Sequence, residues 1–204
     1  MISALTPEAQ AQHQAIGDWF KTPLGQHLLQ TEQAILEELL PGFFGYHLAQ
    51  FSVQERELFQ SSQIQHKLPV NLALQTSSGL VATPTQLPLA SDSVDVALIH
   101  HLLDFVAEPE ASLREIARVT IPMGHLVIVG FNPLSLWGAW QPYGRMRGRL
   151  PWTGSFIRPG RLMDWLNLLN FKIDRAQFAI YAPPLERYAG RVGNYSRGLS
   201  RNLN

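Results

Sequence analysis

Two hydrophobic periods alternate along the chain, and their order predicts an α/β protein. Residues 6 to 20 read as a helix, with Thr6 as N-cap, Pro7 in the first helical position and Glu8 early in the first turn. A second helix is expected from Leu24 to Leu40, with Leu28, Ile35, Leu36 and Leu39 inward, stopping before Pro41-Gly42. Tyr46 to Val53 reads as a strand. Residues 54 to 68 are polar, Gln-rich and without a clear period, and Asn71–Thr76 and Leu80–Thr83 are short strand candidates around Ser77-Ser78-Gly79. The middle of the chain is clearer. Ser93–His100 is apolar at nearly every position past its start, as a strand covered on both faces should be. Pro109–Val119 is a helix with Pro at its start and Arg114 and Arg118 late. The turn Thr120–Gly124 leads into a second buried strand, His125–Phe131. A long connection, 132 to 158, precedes an amphipathic helix at 160–170 and a strand at 171–181. Strands alternating with helices imply one domain over residues 1–204, built on an open parallel sheet with any ligand at the carboxyl ends of its strands. No internal repeat interrupts this order.

Composition narrows the class. Hydrophobic residues make up 46% of the 204, enough for a sizeable core, while the 16% charged content argues against a disordered or coiled-coil chain. The absence of Cys removes disulfides, Cys-ligated zinc and thiol nucleophiles. The start, MISALTPEAQAQHQ, lacks a basic region followed by an apolar run, so no signal peptide is expected. No apolar run is long enough to span a membrane, and a cytoplasmic protein is the expectation.

The formal charge of zero conceals an asymmetry. There are 4 basic and 13 acidic residues up to Glu115, and 12 basic and 3 acidic after it. The excess of arginine includes Arg145, Arg147, Arg149, Arg158 and Arg161, set among Trp137, Trp140, Tyr143 and Trp152. Basic residues interleaved with aromatics can grip RNA. The plainer account is a connection whose aromatics cover the sheet edge while its arginines stay solvated. With three Lys in the whole chain, nucleic acid is the weaker reading.

Residues 87–131 carry a more specific pattern: Leu87-Pro88-Leu89, Ser93-Val94-Asp95, His100-His101, Leu113-Arg114-Glu115 and Pro122-Met123-Gly124, in that order. This segment resembles the type 11 branch of the class I S-adenosylmethionine-dependent methyltransferases. The resemblance implies a Rossmann-like, mostly parallel sheet with helices on both faces. Residues 1–40 would form helices packed beside that sheet. It also implies methyl transfer from S-adenosylmethionine to a small acceptor. The cofactor would lie near Phe51, Ser52, Thr76, Thr83, Gln86, Leu87, Ile99 and His100. His100 and His101 fall where the family places residues beside the transferred methyl group, and a His can serve as a base. Asn132, after the next strand, and Arg145 are the candidates for acceptor recognition. For Asn132 an Asx turn before Pro133 is an equally good account. Asp104 reads as the start of the loop to Pro109. No metal site is expected, because adjacent His residues point apart on an extended chain and no partner stands at ligand spacing.

The chain departs from the family pattern in four places. No two glycines are separated by one residue, so the family's Gly-x-Gly loop is replaced by Gln54-Glu55-Arg56-Glu57 after the first strand. The acid after the second strand is absent, and Thr83-Pro84-Thr85-Gln86 stands where another acid would precede Leu-Pro-Phe. The tail from 182 to 204 is basic and rich in turn formers, so the last antiparallel strand is expected to be missing and a sheet edge left open for a partner. Two other functions accommodate these departures: a non-catalytic binding module on the same fold, and an RNA-associated protein using the Arg/aromatic segment.

Overall fold

The structure, a computed structural model, describes residues 7–71, 80–178 and 200–201. Its centre is a five-stranded, wholly parallel sheet in the order β3-β2-β1-β4-β5. These strands are β1 (His47–Ser52), β2 (His66–Asn71), β3 (Leu80–Val81), β4 (Val94–His100) and β5 (Thr120–Val129). The middle strands are hydrophobic because both faces are covered: Leu48, Val96, Ala97, Leu98 and Ile99 are fully buried. The predicted turn at 120–124 is a bulge within β5. Val94 pairs with Thr120 and Val96 with His125, so Ile121–Gly124 loops outward with Met123 at φ +66°.

Two strands lie elsewhere than the sequence suggests. The second strand is 66–71, beginning in the stretch read as aperiodic and ending where the next strand is expected to start; Pro69 sits within it and hides its pattern. Of the strand expected at 171–181, the described residues 171–178 place Ala176–Gln177 (β6) in a strand, which pairs antiparallel with Ser200–Arg201 (β7), and 179–181 lie outside the described residues. The rest of the basic tail lies outside the described residues. The connection at 132–158 contains a helix, described below.

The helices are α1 (Pro7–Phe20), α2 (Pro23–Leu39), α3 (Leu102–Phe105), α4 (Pro109–Val119), α5 (Leu136–Met146) and α6 (Pro159–Leu168). Thr22 caps α2 by accepting a hydrogen bond from the Gly25 amide at 3.2 Å. Gly25 lets α2 turn directly back on α1, since a Cβ there would collide with the Trp19 carbonyl and the Phe20 backbone. This corner sends both Phe20 and the inner face of α2 toward the sheet. That inner face is Leu24, Leu28, Glu32 and Leu36, one residue per turn, and all four are buried. α5 is concealed in the sequence by Gly138, Pro142 and Gly144, all within the helix. Gly144 is required there because the Trp152 ring lies against its Cα. No helix among the described residues is long and apolar enough to cross a membrane.

The stability of the sheet should depend on the buried strand β4. Leu98→Ala removes a side chain with no exposed surface and should cost about 2–5 kcal/mol in urea unfolding. A loss below about 1 kcal/mol would contradict the packing described.

Candidate functional site

The carboxyl ends of β1 and β4 meet a buried polar cluster. β4 ends in His100, and His101 then leaves the extended conformation at φ +51° to begin α3. That reversal brings two adjacent imidazoles toward one point, against the expectation that they diverge. Glu32, from the middle of α2, receives both. His100 Nε2 lies 3.0 Å from Glu32 Oε2, and His101 Nε2 lies 2.9 Å from Glu32 Oε1. The remaining ring nitrogens are also engaged, His101 Nδ1 with Asp104 Oδ2 at 2.9 Å and His100 Nδ1 with Ser52 Oγ at 3.3 Å. Asp104 Oδ2 accepts a further hydrogen bond from the Phe131 amide at 3.0 Å. Asp104 is therefore a member of the cluster rather than a plain loop residue. The side chains of His100, His101, Glu32 and Asp104 are at most 4% exposed.

Burial and pairing oppose each other here. Burial alone would raise Glu32, but the charge of His101 and hydrogen bonds from both imidazoles outweigh it and hold the carboxyl at about 2. Burial would lower His101, yet Glu32 and Asp104 on either side raise it to about 9. His100 is lowered, chiefly by burial. Asp104 is raised, again chiefly by burial, against its bond from His101. Hydrogen bonding assigns the protons consistently. His101 donates from both nitrogens as imidazolium, and His100 is neutral, donating to Glu32 from Nε2.

Aromatic rings roof the cluster. Phe20 lies 5.7 and 5.6 Å from the rings of His100 and His101, and Phe131 lies 4.2 Å from His101. Phe131 stacks in turn on Trp137 of α5 at 5.7 Å and on Phe156 at 4.7 Å. Trp137 and Trp152 are buried, so the aromatics of the 132–158 connection do cover this end of the molecule, while Trp140 and Tyr143 remain outside.

Beside the cluster, the end of β1 is closed by α1 and by the loop from Val53 to Gln65. Gln50 pins that loop, donating to the Arg56 carbonyl at 2.9 Å and accepting from the Leu58 amide at 2.7 Å. Gln54 also bonds both backbone groups of Arg56. Helix α1 lies directly on the turn, because a Cβ on Gly17 would sit 3.7 Å from the Val53 carbonyl oxygen. On these two segments are two buried polar atoms with no hydrogen-bond partner among the described residues, His13 Nδ1 on α1 and Ser61 Oγ in the loop. Burial lowers the pKa of His13.

The predicted site residues divide into three groups. Ser52, His100 and His101 come together in the cluster, with Phe51 and Ile99 buried in the strands beneath it. Thr83 and Gln86 face each other across a tight turn, half-buried and exposed respectively, and the amide of buried Leu87 donates to Glu115 at 2.9 Å. Thr76 lies outside the described residues. Asn132 Oδ1 accepts from the Leu134 amide at 2.9 Å, the Asx turn anticipated for it. Arg145 is exposed at the end of α5; nearby, Arg147 lies over the Tyr143 ring at 5.1 Å. Sequence reasoning missed Glu32, His13 and Ser61. The signal for Glu32 was an acid in register with Leu24, Leu28 and Leu36 on an apolar helix face. Ser61 has no comparable signal.

Comparison with known proteins places the fold. Residues 47–128 match the family model described as a methyltransferase domain. YafS, an uncharacterized protein of Escherichia coli (strain K12), is 32% identical over 178 residues, covering 86% of this chain and 73% of that one. Among solved structures, a SAM-dependent methyltransferase from Thermotoga maritima superposes with a TM-score of 0.66. It has 18% identity and covers 82% of this chain and 83% of that one. A SAM-dependent methyltransferase from Archaeoglobus fulgidus gives a TM-score of 0.55 at 18% identity, over 70% and 69% of the two chains.

The cluster makes a stability prediction independent of any ligand. Asp104→Ala leaves a buried imidazolium and the Phe131 amide without their acceptor, and should cost about 3–5 kcal/mol. Exposed Asp174→Ala should stay within about 0.5 kcal/mol. Equal effects in denaturant unfolding would show that Asp104 is not part of a tightly coupled cluster.

Proposed function

This chain belongs to the class I S-adenosylmethionine-dependent methyltransferases, and from that membership we propose that it transfers a methyl group from S-adenosylmethionine to a small-molecule acceptor. The site of the proposal is the carboxyl edge of β1 and β4, where an open α/β sheet holds its ligands. The observation that carries it is the pair of unpartnered buried atoms, His13 Nδ1 and Ser61 Oγ. A buried polar atom left without a partner costs about 1–3 kcal/mol. Both atoms belong to the segments that close over the end of β1, the place where the family receives the methionine part of its cofactor. That part carries an ammonium and a carboxylate, so it supplies hydrogen-bonding groups of the kind these two atoms lack. The donor set therefore fits the cofactor, although side chains replace the usual glycines.

His13, Ser61 and the Val53–Gln54 turn would hold the methionine end, and Thr83, Gln86 and Leu87 the adenosine end. Bound S-adenosylmethionine supplies a methyl group already activated on a sulfonium, so the protein's contribution is mainly alignment. Phe20 and Phe131 exclude water from the strand ends. His100 and His101 have every ring nitrogen engaged, so in this arrangement they fix the strand-end geometry rather than accept a proton. They enter the proposal as positioning residues.

Calorimetric titration with S-adenosylmethionine and with its demethylated product tests this reading. Both should bind saturably at one site per chain. His13→Ala and Ser61→Ala should each weaken binding about fivefold. Ser61→Ala should leave the ligand-free protein as stable as before, or more stable, because it removes an unsatisfied polar atom, whereas His13→Ala also empties buried volume and should lower stability by about 1–3 kcal/mol. Absence of saturable heat at millimolar ligand would overturn the proposal.

A further inference from the structure

We propose that Glu32, His100 and His101 form a binding site for a divalent transition-metal ion of the zinc class, with Asp104 and Ser52 orienting the two imidazoles. The inference stands apart from methyl transfer and concerns the ligand-free chain.

The ligand types come first. Two imidazoles and one carboxylate suit zinc and its first-row neighbours, and three protein ligands from this set recur in catalytic zinc sites. The three ligating atoms, one from each residue, lie within 4.8 Å of one another, and all three residues are buried. Ligands about 2.0–2.1 Å from a shared ion, at angles between right and tetrahedral, stand roughly 3.0–3.4 Å apart. The two nitrogen-to-carboxylate distances, 3.0 and 2.9 Å to the two oxygens of Glu32, already meet that spacing, and the widest separation among the three ligating atoms, up to 4.8 Å, would have to close around the ion.

Ring orientation supplies a second argument. Both Nε2 atoms point to the same carboxylate, while both Nδ1 atoms point away from it, that of His101 toward the acceptor Asp104 Oδ2 and that of His100 toward Ser52 Oγ, a hydroxyl that can donate or accept. A hydrogen bond from Nδ1 fixes the tautomer that leaves Nε2 free for a metal, and a carboxylate in that outer position is the usual arrangement. The orientation depends on the left-handed conformation of His101, which an ordinary strand residue does not adopt.

A divalent ion would take the place of the Nε2 protons that bridge both imidazoles to Glu32. The protons balance as follows. His101 releases its Nε2 proton to solvent, and His100 moves its own from Nε2 to Nδ1, where Ser52 Oγ accepts it. One proton leaves per ion bound.

The test uses the full chain, stripped with a chelator and titrated with Zn2+ and, separately, Co2+. One equivalent of each should bind, with a raised unfolding temperature, and Co2+ should show the visible bands of a low-coordinate nitrogen and oxygen site. Glu32→Gln and His101→Ala should abolish stoichiometric binding. Asp104→Asn should bind about 10–100-fold more weakly. Should the ligand variants fail to fold, Ser52→Ala, which leaves all three ligands in place, should still weaken binding measurably. His47 and His66 form an exposed pair across β1 and β2, with ring centroids 5.3 Å apart, and present a competing surface site. The double variant His47→Ala/His66→Ala should retain the full equivalent. Loss of binding in that variant, retention in folded Glu32→Gln, or no stoichiometric ion on the wild-type chain would each overturn the proposal.

Discussion

The arrangement at the strand ends depends on one carboxylate. Glu32 sits in the apolar stripe of α2, where an uncompensated charge would be costly, and two imidazoles meet it there. Each part of this contact constrains another. His100 must end β4 in register with Ser52 of β1, His101 must turn out of the strand, and α2 must cross the sheet edge at the height that places Glu32 between them. Asp104 extends the constraint to the Phe131 amide just past β5, so a single polar cluster ties together α2, β1, β4, α3 and the start of the 132–158 connection. An apolar substitute at position 32 could fill the space but would leave His101 charged beside Asp104 with half of its compensation gone.

The same constraint explains the two N-terminal helices. In a sheet open at its carboxyl edge, a cluster of this kind would be solvated and its pairing weak. α1 and α2 fold back on each other at Gly25, placing Phe20 over both imidazoles and Gly17 on the turn after β1. The helices therefore do more than cover apolar surface: they create the low-polarity environment that makes the Glu32 pairing strong. They also bury His13 and lie against the turn that follows β1.

Much of the fold is legible in the sequence, for a physical reason. β4 is covered on both faces and α4 buries the stripe Leu113, Ile116 and Val119, so burial writes a clear pattern there. β5, at the edge of the described sheet, is half-buried or exposed except at Thr120 and Val127, and is less enclosed than its apolar run Leu126–Val129 suggests. Pattern reading fails where a breaker residue is tolerated. Pro69 sits in β2, and Gly138, Pro142 and Gly144 sit in α5, where close approach of Trp152 makes one glycine a requirement rather than a break. The site is less legible. The histidine pair stands out by position, but its convergence depends on a single backbone angle at His101 that composition does not reveal. Glu32 lies 68 residues from its partner, and only its phase with Leu24, Leu28 and Leu36 marks it as facing inward. The family resemblance directs attention to the strand ends and away from α2, because the expected cofactor motifs lie on the sheet.

Residue-resolved amide hydrogen exchange under native conditions tests the central claim most directly. The His101 amide bonds to the Val129 carbonyl at 2.8 Å and the Phe131 amide to Asp104 at 3.0 Å, both at the ends of strands where fraying is normally easy. If the Glu32 cluster locks this edge, both amides should exchange as slowly as those in the middle of β4. In Glu32→Gln they should become selectively fast while the β4 interior stays protected. Exchange of these two amides at the rate of the exposed turn Arg147–Gly148 in the wild-type protein would contradict the account.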